Sequence, residues 1–363
     1  MRGILLHLKK LDWTLIIVTL LLVGFGLLSI YSSSLGREDF LSFKKQIIFF
    51  GIGFFLMLFI SFFDWRILRD NPYLILIFYF LCLASLAGLF FWAPEIRGVR
   101  SWYKLGPISI DPIEPTKIIL IILLAKYFSM RHVEMYRIQH ILLSGAYVLI
   151  PSILIFRQPN LGSVLILIAL WIGILIISGI KLRHFLILCL IGLIVLVLSW
   201  SFLLRDYQKQ RIISFFQPQF ESLGLGWSQA QSKIAIGSAG LFGQGIGKGS
   251  QTQYGFLPEP RTDFVFAAIA EETGFVGVSV LFLLFSIFIW RIMKIATSAQ
   301  TNFSRLFATG FSVVLIFQIF INIGMNIGIL PVIGIPLPLV SYGGSSLIAI
   351  LIGLGILQSI KTH

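Results

Sequence analysis

Apolar residues run through this sequence in long blocks instead of alternating with polar ones. Mostly apolar blocks fall at 13–33, 46–63, 72–92, 112–130, 139–156, 161–179, 184–204, 273–293, 306–329 and 339–360. Each is close to the ~20 residues that a helix needs to cross the hydrocarbon layer of a bilayer. Several show little 3.6-residue periodicity, as expected of helices that touch lipid on one side and other helices on the other. Strands of a membrane barrel would be shorter and would alternate apolar with polar. The pattern predicts an all-α integral membrane protein of about ten transmembrane helices, one polytopic domain over 1–363. A long extracytoplasmic loop, about 205–272, is expected between helices 7 and 8.

Composition points the same way. The chain is 57% hydrophobic and 12% charged, against roughly 25% charged for soluble proteins, and a soluble fold of this make-up would expose large apolar patches. The net charge of +13 would suit nucleic acid if it were clustered, but the Lys and Arg residues are scattered through short connections. With Arg2, Lys9 and Lys10 inside, inner segments carry 14 Lys and Arg and the short outer loops 7, as the positive-inside rule requires. The inner set includes Arg66, Arg69, Arg131, Arg137, Lys181, Arg183, Arg291, Lys294 and Arg305; Lys44 and Lys45 fall outside, against the trend. Ten crossings return Lys361 to the cytoplasm, so both termini are expected there. The first block has no small-residue cleavage site and more blocks follow it, which predicts an anchored helix in place of a signal peptide. Cys82 and Cys189 lie within apolar blocks, which argues against a disulfide framework or a cysteine metal site.

Three stretches break the apolar pattern, and all three fall on the outer side. Residues 93–117 mix Gly, Pro, charge and aromatics, with Trp102 and Tyr103 suited to a membrane interface. Residues 205–262 are rich in Gly and Gln. Residues 331–346 place Pro331, Pro336 and Pro338 before the last helix, with Ser341 and Ser345 as candidate polar contacts for a substrate. Repeated prolines do not continue a helix, and irregular backbone at membrane depth must be buried in protein or face water. Chemistry is expected where these stretches converge.

The run GLFGQGIGKGSQ (240–251) invites a nucleotide-binding reading and fails it. In a P-loop register Gly247 and Lys248 are followed by Gly249, and the earlier required glycine is Phe242; no G-x-G-x-x-G register exists either. Two readings stay open: a flexible loop, or a backbone nest whose N–H groups bind an anion, with Lys248 adding charge. Thr262 and Asp263 stand where a helix starts, and both residue types cap exposed N–H groups. The block 273–293 crosses the bilayer by itself, which leaves Asp263 above the membrane core and free to meet a substrate. Glu271 and Glu272 fall near its outer end, each expected to pair with a basic residue. Glu114 and Lys117, three apart, share a helix face; they read equally as an internal ion pair or as functional intramembrane charges. Asn322 and Asn326, one turn apart beside Gly324 and Gly328, predict a helix–helix packing face. His7, His132, His140, His184 and His363 fall in or near inner segments, which excludes a Ser/His/Asp triad on the outer face and argues against protein-bound zinc.

The segment QSKIAIGSAGLFGQGIGKGSQTQYGFLPEPRTDFVFAAIAEETGFVG (231–277) closely resembles the signature of the shape, elongation, division and sporulation (SEDS) family of bacterial cell-wall polymerases. NIGMNIGILPVIGIPLPLVSYGGSS (322–346) resembles its second hallmark, and 98–117 and 157–166 resemble two more. The KGSQ stretch and YQKQRI (207–212) look more like the elongation branch than the division branch. The resemblance implies a peptidoglycan glycosyltransferase of the bacterial plasma membrane that polymerises lipid II at the outer face. It also implies partners: a class B penicillin-binding protein, which cross-links the strands, and other elongation-complex membrane proteins. The family's essential aspartate falls on Asp263, and its polar-cavity residues on Glu114 and Lys117. Two positions depart: the usual QPSE reads DPIE at 111–114, and the acid of the usual QPDLG is Asn160, which hydrogen-bonds but does not pair with a cation.

On this reading Asp263 takes the proton from the acceptor hydroxyl as it attacks the donor sugar. Arg211, Lys248 and Arg261 are the candidate cations for the departing pyrophosphate, alone or with Mg²⁺ or Mn²⁺ shared with Asp263. A carboxylate at a helix N-terminus is stabilised as the anion and is then a weak base, so a metal-binding role for Asp263 stands as the rival. With no nucleotide motif and no ATP outside the membrane, the energy must come from the lipid-pyrophosphate sugar. A lipid II flippase and a catalytically silent scaffold are the alternatives from other functional classes.

Overall fold

The computed structural model describes residues 7–36, 38–94, 101–106, 108–130, 138–204, 206–216 and 225–362. Arg2, Arg131, His132, Arg137, His363 and residues 95–100 of the first irregular stretch lie outside the described residues. In chain order the elements are α1 (Trp13–Leu35), α2 (Leu41–Ser61), the short α3 (Arg66–Asp70), α4 (Pro72–Trp92), β1 (Tyr103–Leu105), β2 (Ile108–Ile110), α5 (Ile113–Ser129), α6 (Ile138–Arg157), α7 (Leu161–Ile177) and α8 (Leu182–Leu198). A π-helical turn, Ser199–Leu203, extends α8. Then come α9 (Asp206–Phe216), α10 (Leu225–Gly237), the single-turn α11 (Ser250–Gln253), α12 (Val265–Ser298), α13 (Asn302–Ile327) and α14 (Gly344–Thr362).

Among the described residues, eight helices are long and apolar enough to cross a membrane: α1, α2, α4, α6, α8 with its π turn, α12, α13 and α14. The 17-residue helices α5 and α7 stand at the two remaining apolar blocks. Helix α5 is less apolar because Glu114, Lys117 and Lys126 interrupt it. Caps set several ends: Asp12 accepts the N–H of Leu15 at 3.0 Å to start α1, and Thr301 accepts that of Ser304 at 3.2 Å to start α13. Among the described residues the departure from an all-helical chain is the antiparallel hairpin β1–β2, which pairs Tyr103 with Ile110 and Lys104 with Ser109. It is tied to the bundle by the Tyr103 hydroxyl, which donates to the Ser85 carbonyl of α4 at 2.6 Å.

Helices α12, α13 and α14 pack with α1, α2, α5 and α7 around the most buried part of the chain. Phe303, Phe307 and Phe311 on α13 are fully buried there, and Phe307 and Phe311 stack on each other. No residue of α8 is fully buried; most of its apolar side chains are exposed, and Leu188 packs partly buried against the core. The three irregular stretches lie at one end of the bundle, where α1, α4, α6, α8 and α13 finish and α2, α5, α7, α12 and α14 begin.

The glycine run is a structural part of α12. That helix breaks at Gly274 (φ 68°, ψ −166°), which divides it into a buried segment, 265–273, and a remainder close to the expected span. A break frees backbone groups on both sides, and these are costly if left unpaired away from water. The glycine loop takes them up. Gln244 N–H donates to the Glu271 carbonyl at 2.9 Å and Gly245 N–H to that of Glu272 at 3.0 Å; Phe275 and Val276 N–H donate to the carbonyls of Gly240 (3.0 Å) and Leu241 (3.1 Å). Backbone meets backbone with no room for side chains: a Cβ on Gly243 would collide with the Glu272 carbonyl, and one on Gly274 with the Gly243 nitrogen.

Glu271 and Glu272 complete this join, and the expectation that each pairs with a base is corrected. Glu271 is fully buried and accepts from Gln251 N (2.6 Å), Thr252 N (3.0 Å) and the Thr252 hydroxyl (2.7 Å), capping α11. Glu272 accepts from the Ser32 hydroxyl of α1, from Gly247 N at 3.3 Å and from the Gln253 amide at 3.2 Å. The loop is thus neither free nor aimed at an external anion; the anions it binds are the protein's own carboxylates. Gly243→Ala and Gly274→Ala are each expected to cost at least ~1 kcal/mol, since both sites have positive φ and no space. Gly192→Ala, on the exposed face of α8 with open space at its Cβ position, should be neutral or slightly stabilising. Thermal unfolding of the three variants in detergent checks the contrast.

Candidate active site

Asp263 lies two residues before α12. Phe264 occupies the N-cap position and makes no side-chain cap bond, so capping, the plainer of the two expected uses of Thr262 and Asp263, is not what holds this turn. Three successive carbonyls are held from outside. That of Arg261 accepts from Tyr342 N at 2.7 Å, that of Thr262 from the Ser341 hydroxyl at 2.6 Å, and that of Asp263 from the side-chain amides of Asn322 (3.1 Å) and Asn326 (2.9 Å). Asn326 also accepts the N–H of Ala267 at 3.1 Å, which satisfies a donor in the first turn of α12. With the backbone held so closely, the Asp263 side chain turns into a cavity of about 490 Å³. Gly334, in the proline-rich stretch, passes close by: a Cβ there would come within 3.4 Å of Asp263 Oδ2.

The asparagines thus do more than pack helix against helix: Asn326 joins α13 to α12 through Ala267, and both amides reach the turn before α12. Asn322 donates to the Ile335 carbonyl at 2.8 Å as well as to that of Asp263, so it binds the proline-rich stretch to the turn before α12. Gln318, Asn322 and Asn326, spaced four apart, lie on one face of α13, and Gln318 lines the cavity. That spacing was the sequence signal for this group.

Several elements at this end contribute to the wall. From α5 come Glu114 and Lys117, buried and paired at 2.8 Å; from α7 and its N-cap, Ser163 and Asn160; from α2, Lys45 and Phe49; from the hairpin region, Trp102, Ser109 and Asp111; from the turn before α12, Glu259 and Thr262; from α14 and the turn before it, Ser345 and Tyr342. Asn160 has a structural duty too, accepting the Ser163 N–H at 3.1 Å as the N-cap of α7. Ser345 accepts the Asp111 N–H at 2.9 Å, joining α14 to the entry of α5. Burial, and then the neighbouring Glu114 carboxylate, push the Asp111 carboxyl up to about 7.

Of the residues singled out in the sequence, Asp263, Glu114, Lys117, Asn160 and Ser345 meet in this one cavity. Four others lie outside its lining. Arg261 is almost fully buried and donates to Asp39 Oδ2 at 3.0 Å, to the Asp39 carbonyl at 3.1 Å and to the Ser33 carbonyl at 3.3 Å. The Leu41 N–H and then Arg261 hold the Asp39 carboxyl below its ordinary range. Ser341 spends its hydroxyl on Thr262 and on the Leu337 N–H at 2.9 Å. Lys248 sits in the glycine loop that closes the break in α12. Arg211, on α9, donates to the Ile333 carbonyl at 3.2 Å, beside the lining residues Gly334, Ile335 and Pro336. Lys45, Asp111, Glu259 and Tyr342 also line the cavity and were not among the candidate site residues. Among the described residues no three His, Cys, Asp or Glu side chains stand close enough to hold a metal ion between them.

A family profile described as "Cell cycle protein", which covers FtsW, RodA and SpoVE, matches residues 12–363. The peptidoglycan glycosyltransferase MrdB of Escherichia coli K12 is 36% identical over 360 residues, 97% of this chain and 94% of that one. A chain solved in a peptidoglycan synthase complex that coordinates polymerization and crosslinking superimposes with a TM-score of 0.83 at 31% identity, over 97% of both chains. The rod shape-determining protein RodA of Thermus thermophilus superimposes with a TM-score of 0.72 at 30% identity, over 97% of this chain and 96% of that one. This chain belongs to the FtsW/RodA/SpoVE (SEDS) family.

Proposed function

We propose that this chain is a peptidoglycan glycosyltransferase that polymerises lipid II into β-1,4 glycan strands at the outer face of the bacterial plasma membrane. One observation carries the reading: a carboxyl whose own backbone is held by two buried asparagines opens into a polar cavity at the loop end of a membrane bundle. Lys9, Lys10, Arg66, Arg69, Lys181, Arg183, Arg291, Lys294 and Lys361 gather at the opposite end, and the positive-inside rule then puts the cavity outside. A class B penicillin-binding protein is the expected partner, in keeping with the likeness to a chain of a synthase that both polymerises and cross-links.

The acceptor sugar's 4-hydroxyl oxygen attacks the anomeric carbon of the donor as Asp263 accepts its proton. The bond to the pyrophosphate breaks on the opposite face, the centre inverts, and undecaprenyl pyrophosphate carries the bonding electrons away. Asn322 and Asn326 hold the base in position, since a hydrogen-bonded carbonyl fixes the Cα from which the carboxylate reaches. The Glu114–Lys117 pair and Asn160 supply donors and acceptors for the sugar. In the rival reading Asp263 would hold a divalent cation instead of taking the proton, since Mg²⁺-type sites use one or two carboxylates plus substrate phosphate, and the cation would neutralise the leaving group.

Asp263→Asn should lower polymerisation at least ~10²-fold, the usual size of general-base help, with lipid II binding near normal; full activity would end the proposal. EDTA should change the wild-type rate less than about twofold. A tenfold loss restored by Mg²⁺ or Mn²⁺ would reassign Asp263 as a metal ligand. Asn326→Ala leaves the buried Ala267 N–H unpaired and removes one of the two donors to the Asp263 carbonyl; it should cost ~1–3 kcal/mol, seen as a lower unfolding midpoint together with reduced polymerisation. Assays in detergent, where there are no two sides to cross, separate polymerisation from a lipid II flippase, for which glycan formation is not expected.

A further inference from the structure

Gln46 is a polar side chain of a membrane-crossing helix that the mechanism above does not use. It lies on the second turn of α2, is fully buried and stands outside the cavity lining, between the lining residues Lys45 and Phe49. A buried amide is costly without partners, and Gln46 finds both of its partners on one turn. Its Nε2 donates to the Ser341 carbonyl at 3.2 Å, and its Oε1 accepts the Gly343 N–H at 3.2 Å. One side chain thus grips the turn Ser341–Gly343 at two points, as the backbone of a neighbouring strand would.

That turn is also what holds the two residues before Asp263. Tyr342 N–H donates to the Arg261 carbonyl at 2.7 Å, and the Ser341 hydroxyl donates to the Thr262 carbonyl at 2.6 Å. The same face of α2 makes two further contacts with these segments. Ser42, one turn before Gln46, accepts from the Arg261 guanidinium at 3.3 Å. The Phe49 ring, one turn after it, lies so close to Gly344 that a Cβ there would be 2.5 Å away. Helix α2 therefore fixes residues 341–344 relative to residues 261 and 262, and the position of Asp263 follows. We propose that Gln46 is a positioning residue for Asp263, acting through the turn Ser341–Gly343 to set where the carboxyl stands against the acceptor hydroxyl. This rests on the reading of Asp263 as the group that takes the proton. Asn322 and Asn326 hold the Asp263 carbonyl from α13; Gln46 controls the approach to it from α2. Misplacement by about 1 Å costs on the order of 10²-fold in rate, so a turn released from its grip should lose about tenfold.

The test is a double-mutant cycle on the purified full-length protein in detergent. Gln46→Met keeps the length of the side chain and removes both hydrogen bonds. Wild type, Gln46→Met, Asp263→Asn and the double variant are assayed for glycan formation at saturating lipid II, so that changes in the wall formed by Tyr342 and Gly343 do not enter. Rates are taken per folded molecule. Gln46→Met should lower kcat about tenfold in the wild-type background and less than about twofold on top of Asp263→Asn, because a base that is gone needs no positioning. Gln46→Glu, which keeps an acceptor for the Gly343 N–H and loses the donor to Ser341, takes its place with the same expectation if Gln46→Met does not fold. Equal losses in the two backgrounds, beside an impaired Asp263→Asn, overturn the proposal alone and leave Gln46 a packing residue; wild-type kcat in the Gln46 variant overturns it too. Full activity of Asp263→Asn by itself sinks the reading of Asp263 as the base, and this proposal with it.

Discussion

A helix broken near a bilayer leaves backbone N–H and C=O groups without partners, and in lipid no water replaces them. The loop end of this molecule is organised around that constraint. At Gly274 the freed carbonyls and N–H groups of α12 are taken by residues 240–245, while the carboxylates of Glu271 and Glu272 draw in the N–H groups of 247, 251 and 252. At the start of the same helix the carbonyls of 261–263 are taken by Tyr342, Ser341, Asn322 and Asn326. The segment carrying Asp263 is thus held at both of its ends by hydrogen bonds to other parts of the chain.

These bonds place polar groups where they are expensive. Asn322 and Asn326 are fully buried and lie on a helix that is otherwise apolar enough to cross the membrane. An unpaired amide in such surroundings costs several kcal/mol on scales where nothing replaces its hydrogen bonds. Both side chains are well partnered, and the partners are backbone atoms at the candidate site. Intramembrane polar residues mark function more often than they mark architecture; here they position the Asp263 carboxyl without lining the cavity themselves.

Charge follows a similar economy. Two of the candidate cations for a pyrophosphate leaving group are occupied elsewhere: Arg261 braces Asp39 and the end of α1, and Arg211 holds the proline-rich stretch. On the opposite end Arg291 donates to Asp12 at 3.1 Å, and Asp12 also caps α1. One ion pair thereby joins the far end of α12 to the start of α1. Several basic residues of this protein work as braces, and the cavity is left rich in carboxyl groups.

The pattern of apolar blocks was enough to place the helices, because the length of a crossing and the cost of bare backbone in lipid depend only on composition along the chain. The same local reasoning gathered the three irregular stretches at one end and marked Asp263, Glu114 and Lys117 as candidates, while Asn160 entered with the family resemblance. It did not show that the glycine run closes a break in α12, that Glu271 and Glu272 bind backbone instead of bases, or that the asparagines grip the carbonyl of Asp263. Each of these depends on a partner far away in sequence, such as Asn326 with Asp263 or Ser32 with Glu272. A side chain's chemistry can be read from its identity, but the group that satisfies its hydrogen bonds is chosen only when the chain packs.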